Sequence, residues 1–447
     1  MPNRSSGQIK TGGLIVALCV LIVLGGLVWW FNKHPSVDKS TANTPAAPKL
    51  ISADPKQIEE IRLAKSGSDP VEITKLANSW TISKPSAMPA DSDAVDMLAG
   101  SLATLNADRV IDEHPSDLNA FGLTNPSEEI DVTVKGGRLI KLLLGSDTPS
   151  STGTYAKIES DPKVYTVPTY TKTSFDKSVN DLRDKRLLTF NQDKLTSVVI
   201  TGKGQRVEFG RNAQGDWQIA KPKPMRADSL QVDDLIRKLK GAKMDLTSAN
   251  AEPKDAAAQF ASGEKAGTAS TIDNTGSQTV EVRRGKDNSY YAKSTAVAGI
   301  YKVAGEIGDA LGKTADDYRN RKLFDFGFND PTKLDINGTL YQKSGDTWKS
   351  GSTPYEAGTV QSVIDKLRDL SATKFADRMN GTPALTIALT AGDNHRKEKV
   401  TINADGAVYA AQREGEPAVY ILDPKLVDDL QKAISGIKKQ APAPGKK

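Results

Sequence analysis

A tryptophan returns three times along this chain in related settings: Trp80 in NSWTISKP, Trp217 in GDWQIAKP and Trp348 in DTWKSGST. The first two share W-x-I-x-K-P outright. Self-similarity over a long period means that one supersecondary unit is used repeatedly, so it fixes the architecture before any single element is assigned. Eleven residues beyond each tryptophan stands a residue of helix-capping type, Asp91, Asp228 and Thr359. An amphipathic run follows each of them. Val95, Leu98, Leu102 and Leu105 mark the first run, and Leu235, Ile236 and Leu239 the second. Val360, Val363, Ile364, Leu367 and Leu370 mark the third. Spacings of three and four put these residues on one helical face. Asp228 with Gln231 predicts a capping box of the D-x-x-Q form.

A tyrosine pair recurs further along each copy: Tyr155 with Tyr165, Tyr291 with Tyr301, and Tyr409 with Tyr420. The interval from tryptophan to first tyrosine is shorter in the third copy. HPSDLNAF (114–121) resembles EPKDAAAQF (252–260), and the third copy lacks this insert. The first two copies close on similar basic segments, LRDKRLLTF (182–190) and YRNRKLFDF (318–326). Within the first copy IEEIRLA, PVEITKL and SWTIS read as short strands, then EEIDVTV, RLIKLLL, TYAKI and KVYTV as four more. A closing helix is expected over Thr169–Leu182. The pattern predicts an α+β fold of three tandem copies of a mixed, mainly antiparallel sheet with helices, preceded by one transmembrane helix.

From Gly12 to Phe31 the chain runs twenty residues without a charge. At about 1.5 Å per residue such a helix spans about 30 Å, the hydrocarbon thickness of a bilayer. Trp29 and Trp30 stand at its end, where indoles favour the headgroup region. The run exceeds a signal-peptide core, and no small-x-small cleavage site follows it closely, so it reads as an uncleaved anchor. Cys19 lies mid-segment behind Leu18, which does not fit a lipoprotein signal. Flanking bases do not orient it: Arg4 and Lys10 precede it, and Lys33, Lys39 and Lys49 follow. The export layout of a short basic tail before an apolar run places the bulk outside the cytoplasm. The chain is thus expected to divide into a cytoplasmic tail (1–11), an anchor (12–31), a flexible tether (32–50), copies over 51–186, 187–322 and 323–437, and a disordered basic tail (438–447).

No catalytic pattern is legible. Cys19 is the sole cysteine, so no disulfide or thiolate metal site exists in the remainder. His34, His114 and His395 are isolated from one another. P-loop, G-x-S-x-G and H-E-x-x-H spacings are missing, and Gly202-Lys203-Gly204 and Gly215-Asp216 look like hairpin turns. Sixty basic and 55 acidic residues give a net charge of +5, too dispersed for a nucleic-acid binder. The recurrent aromatics are expected in the core. The aspartates before the helices are expected to be caps, and Arg183-Asp184-Lys185-Arg186 and Arg319-Asn320-Arg321-Lys322 to complement helix ends. Glu59-Glu60, Glu128-Glu129 and Asp428-Asp429 fall where a solvated side is expected. No catalytic, cofactor-binding or metal-binding residue is assigned, and no cofactor is expected.

With the anchor, the W-x-I-x-K-P strands, the Ala90-Asp91 and Ala227-Asp228 helix starts and the FGLTNP turn at 121–126, the chain resembles a bacterial family of uncharacterised repeat domains. That family is found alongside gliding-motility-type ABC transporter auxiliary proteins. The resemblance implies a non-enzymatic accessory or scaffold in the inner membrane, single-pass, with its bulk periplasmic and with protein partners in an envelope transporter complex. Binding of envelope polysaccharide or anionic lipid is the alternative. The third copy departs from the pattern at Trp348-Lys349-Ser350.

Overall fold

The computed structural model describes residues 47–247, 256–391 and 396–441. The apolar run 12–31 with Cys19, together with His34 and His395, lies outside the described residues. Among the described residues no helix is long and apolar enough to cross a membrane. The chain separates into two compact units, one ending at Asp184 and one beginning at Lys185.

The first unit holds one sheet. Strands β1 (Ile58–Lys65), β2 (Val71–Leu76), β3 (Ser79–Lys84) and β4 (Met88–Pro89) form a meander outward from the sheet's centre. The helix Ser92–Ala103 then carries the chain to the far edge, where β5 (Arg109–Asp112) lies. A second meander, β6 (Glu128–Val134), β7 (Arg138–Asp147), β8 (Gly153–Ile158) and β9 (Val164–Pro168), starts beside β1 and ends beside β5. The order is β4-β3-β2-β1-β6-β7-β8-β9-β5, with every pair antiparallel. Alternation makes these strands: along β6 every second residue is buried, beginning with Glu128 and continuing through Ile130, Val132 and Val134. Asp91 caps the helix by accepting from the Ala94 amide at 3.2 Å, and Val95, Leu98 and Leu102 are buried against the sheet. The seven expected strands form; β4 and β5 are additional, too short to carry a period of their own.

The closing helix expected over Thr169–Leu182 is instead two, Tyr170–Phe175 and Val179–Leu182. Ser178 starts the second: the Asp181 carboxylate accepts from its amide at 2.8 Å and its hydroxyl at 2.6 Å, which halts one helix and nucleates the next.

The second unit holds two sheets of the same plan. In one, Ser197–Gly202 and Glu264–Asp273 are central, flanked by Gln205–Arg211, Trp217–Lys221 and Met225–Arg226 on one side and Gly276–Arg284, Tyr290–Ser294 and Ile300–Val303 on the other. It has eight strands, lacking a counterpart of β5; the Asp245 amide donates to the Lys302 carbonyl there instead. The other sheet has nine, with Pro331–Ile336 and Thr382–Ala391 central and Ala372–Ala376 at the β5 position. Three antiparallel sheets with a few helices make a mainly-β α+β fold. In place of the expected mixed sheets, every strand pair among the described residues is antiparallel.

Isolated bridges close each copy on itself. Lys49 with Asn106, Arg186 with Lys243, and Lys322 with Ser371 join each copy's lead-in to the residues after its helix. Ala90 with Arg183, Ala227 with Arg319, and Tyr355 with Lys439 join each copy's end to the residue before that helix. Arg186 and Lys322 therefore belong to the sheets that follow them. Lys438 and Lys439, expected in a disordered tail, close the third copy: the Glu356 amide donates to the Lys438 carbonyl at 2.9 Å and Gln440 to Pro354 at 3.0 Å.

Two capping expectations are corrected. The third helix, Ala357–Asp369, is capped at Glu356, and Thr359 lies inside its first turn with its hydroxyl on the Glu356 carbonyl at 2.8 Å. The cause is length: without the K-P turn the third copy's hairpin is three residues shorter. Asp228 does cap Ser229–Lys240, accepting from Leu230 and Gln231, but the reciprocal half of the box does not form. The Gln231 side chain accepts from Lys313 Nζ at 3.0 Å instead.

Candidate functional site: an acidic pocket in the first unit

The recurrent aromatics are packing groups. Trp80, Trp217 and Trp348 are buried in the three cores, as are the second tyrosines Tyr165, Tyr301 and Tyr420. Each of those tyrosines turns its hydroxyl back onto the preceding loop: to Asp161 at 2.7 Å, to the Ala298 carbonyl at 2.8 Å and to Glu416 at 2.9 Å. Burial, reinforced by the hydrogen bond to Asp161, pushes the Tyr165 phenol up to about 12. The first tyrosines serve the insert. Phe121 meets Tyr155 edge-on at 5.0 Å between ring centres, and Phe260 packs with Tyr291. The third copy has no insert, and Tyr409 reaches Asp428 at 3.4 Å.

The second basic ending is built into the second unit. Within the second unit the Arg319 guanidinium lies 3.3 Å from the Phe375 ring centre and pairs with Asp316 at 3.0 Å. Arg321 donates to the Thr373 carbonyl at 2.6 Å, and Lys322 to that of Arg368 at 3.3 Å.

A polar cleft of about 1020 Å³ opens between the two sheets of the second unit. Arg226, Asp325, Arg396 and Arg413 line it and belong to an ion-pair network that extends beyond it. Arg226, from the edge of the first of those sheets, meets Glu416 at 3.0 Å and Asp325 at 3.3 Å. Arg413 meets Glu416 at 2.8 Å and Glu398 at 3.0 Å, and Arg396 meets Glu398 at 2.8 Å. The Glu398 side chain is 2 % exposed. Three arginines face three carboxylates, so the charge is matched internally. Such a network specifies how two surfaces mate and leaves little charge for a ligand.

The pocket of the first unit is different. It measures about 420 Å³, within the range of small-molecule sites. Leu63, Val71, Ile130, Phe175 and Val179 give it apolar walls. Lys65 and Asp176 pair at its rim at 2.5 Å. Glu128 is 5 % exposed and lines the cavity, and its Oε2 is buried without a hydrogen-bond partner. Burial raises the Glu128 carboxyl to about 7; Asp176 adds to the rise, while Lys172 and Lys65 oppose it. Glu128 thus departs from the solvated position expected for it. The signal was available: it shares the inward row of β6 with Ile130 and Val132. Its neighbour Glu129 points the other way, to Arg62 at 3.0 Å and Lys141 at 3.5 Å. Among the described residues no group of three His, Cys, Asp or Glu side chains is placed to hold a metal ion.

The second copy fills the equivalent place. Lys65 and Glu128 are partners across β1 and β6. In the second copy Val198 faces Thr271 and Thr201 faces Thr268, a register that puts Gly202 and Gly267 in those two positions. A side chain on Gly202 would collide with the Leu311 carbonyl, and one on Gly267 would lie 2.8 Å from the Leu311 Cβ. Leu311 ends the helix Gly305–Leu311 ten residues after Tyr301, as Phe175 ends its helix ten after Tyr165. The helix lies directly on the sheet where glycines permit it, and a cavity exists where Lys65 and Glu128 stand.

A family model described as a domain of unknown function, DUF4340, matches residues 80–217 and again 217–391. No curated protein and no solved structure matches the chain. The two windows meet at Trp217, so each runs in sequence from the third strand of one sheet into the strands of the next. With most of its length matched in two tandem windows, the chain belongs to the DUF4340 family of domains of unknown function.

Proposed function

We propose that this protein is a membrane-anchored, non-enzymatic accessory or scaffold of the bacterial envelope, held in the inner membrane by residues 12–31 with its three sheets in the periplasm. Its partners are the permease and ATPase subunits of an ABC-type export or motility-related transporter. The observation that carries this reading is what the recurrent residues do: the tryptophans, second tyrosines and helix caps are all used for cores and joints. What duplication has kept is a framework, and repeated frameworks present extended surfaces to other proteins. The charge-matched joint of the second unit fits a part that must hold its shape. The resemblance to proteins found alongside gliding-motility-type transporter auxiliaries supplies the class of partner.

The test is crosslinking in native membranes followed by purification of the full-length chain in mild detergent. Transporter permease and ATPase subunits are expected with it. Recovery of the anchored chain alone would overturn the proposal. Salt-sensitive pelleting with anionic vesicles or isolated cell wall would favour a polymer or lipid binder instead.

A further inference from the structure

We infer that the pocket of the first unit binds a primary ammonium group carried on an unbranched alkyl stem, with the Glu128 carboxylate as its counter-ion. The inference is independent of the scaffold reading. Four observations carry it.

The first is the unmet acceptor. A carboxylate oxygen buried without a partner costs free energy on the order of several kcal/mol unless something supplies a donor or a proton. Glu128 Oε2 is such an atom, in a side chain that lines a cavity open to solvent-borne ligands. The second is the sign of the surroundings. Among the lining residues Glu129 turns away to Arg62 and Lys141, leaving Asp69, Glu128 and Asp176 against Lys65 and Lys177. Lys65 is held by Asp176, so the excess is negative and concentrated at the buried carboxyl. The third is the wall chemistry. Leu63, Val71, Ile130, Phe175 and Val179 offer an apolar lining on which a methylene chain can lie, with Ser68, Asp69, Asp176, Ser178 and Asn180 as the polar part of the wall. The fourth is the second copy. There two glycines and a seated helix close the same place, so the fold does not need a cavity or a buried acid at this point.

The ammonium nitrogen donates to Glu128 while its stem lies between Phe175 and the β1–β6 face. Two sources share this chemistry: a free alkylamine and a lysine side chain of a partner protein. Glu128 must be ionised to act as counter-ion. The charged groups that bear on it are Lys65 from β1, Lys172 from the helix Tyr170–Phe175 and Asp176 from the segment after that helix. Because its carboxyl titrates near 7, binding strengthens as pH rises through neutrality, while an alkylammonium stays charged over that range.

Titration calorimetry of the full-length chain in detergent tests this with n-pentylammonium, with n-pentanol as the uncharged isostere, and with an acetyl-lysine-methylamide peptide mimic. Pentylammonium is expected to bind at least tenfold more tightly than pentanol. Its affinity is expected to rise about tenfold from pH 6 to pH 8, following the ionised fraction of a group titrating near 7. Glu128→Gln is expected to lower the affinity at least tenfold and to abolish the pH dependence. Binding of the lysine mimic assigns the site to a protein side chain, and exclusion of the mimic assigns it to a free amine. Equal binding of pentanol, a flat pH profile, or failure of both amines to bind would overturn the inference. The first two readouts use the unmodified protein and stand even if the variant does not fold.

Discussion

The first and second copies share a plan, though the second lacks a β5 strand, and they differ instructively at one spot, where the opening strand meets the strand that follows the insert. In the first copy that pair of positions holds Lys65 and Glu128, and the helix ending at Phe175 stands off the sheet. In the second it holds Gly202 and Gly267, and the helix ending at Leu311 rests on backbone. Two side chains thus decide whether the same fold encloses a cavity or a contact. The difference teaches that duplication here conserved the frame and left its infilling free. A buried acid in an otherwise apolar row is a cost that one copy carries and the other has shed.

The largest effect is expected from forcing the second copy to resemble the first. Gly267→Glu places a side chain against the Leu311 Cβ and the Thr201 carbonyl, each within 3 Å. Overpacking destabilises by about 1–3 kcal/mol, and burial of the added carboxylate increases the loss. Denaturant unfolding followed by tryptophan fluorescence should show the transition of the second unit at lower denaturant, with that of the first unchanged. An unshifted transition would mean that the helix Gly305–Leu311 is free to lift, and the two copies would differ less than described.

A smaller change is expected from relieving the first copy. The Glu128 carboxyl titrates near 7 folded and near 4.5 unfolded, so between those values the folded state retains a proton that the unfolded state has lost. Stability therefore falls as pH rises from about 4.5 to about 7 and is level above it. The drop is on the order of 3 kcal/mol. Glu128→Gln cannot ionise, so it should flatten this slope and leave the variant more stable than the parent at pH 8. Urea unfolding at pH 5 and pH 8 measures it. A parent whose first-unit stability does not fall across that interval would remove the buried charge from the comparison.

Most of the frame was legible in residue order because strands and helices carry their periods locally. The strands beginning at Ile58 and Glu128 alternate, and the run from Val95 recurs at three and four, so their assignment needed no tertiary information. The joints were not legible. That Arg186 pairs with Lys243, and Lys439 with Tyr355, depends on which strand edges meet, and a basic segment in sequence looks like any solvated run. The pocket was half legible. Glu128 could have been placed inward by counting twos from Ile130, yet the empty space beside it follows from where Phe175 stops, which the sequence does not encode locally. Thr359 misled because a three-residue deletion moved the cap to Glu356 without disturbing the amphipathic run.

The smallest predicted effect asks whether the two copies hold their closing segments with equal strength. Ser178 with Asp181 in the first copy and Thr314 with Asp317 in the second form the same reciprocal cap. Asp181 accepts from the Ser178 amide at 2.8 Å, and Asp317 from the Thr314 amide at 2.7 Å. The Thr314 amide and hydroxyl hold the Asp317 carboxyl below the usual range, which marks the bond as favourable to the charged form. Losing such a cap costs about 1 kcal/mol. Asp181→Ala and Asp317→Ala should therefore shift their respective unfolding transitions by similar amounts at pH 7. Parity would remove the caps as a source of the difference at this spot and leave Lys65 and Glu128 to account for it. A markedly larger loss from Asp317→Ala would show instead that the turn Ala315–Tyr318, just after the helix seated on the glycines, is held more firmly in the second copy than its counterpart in the first.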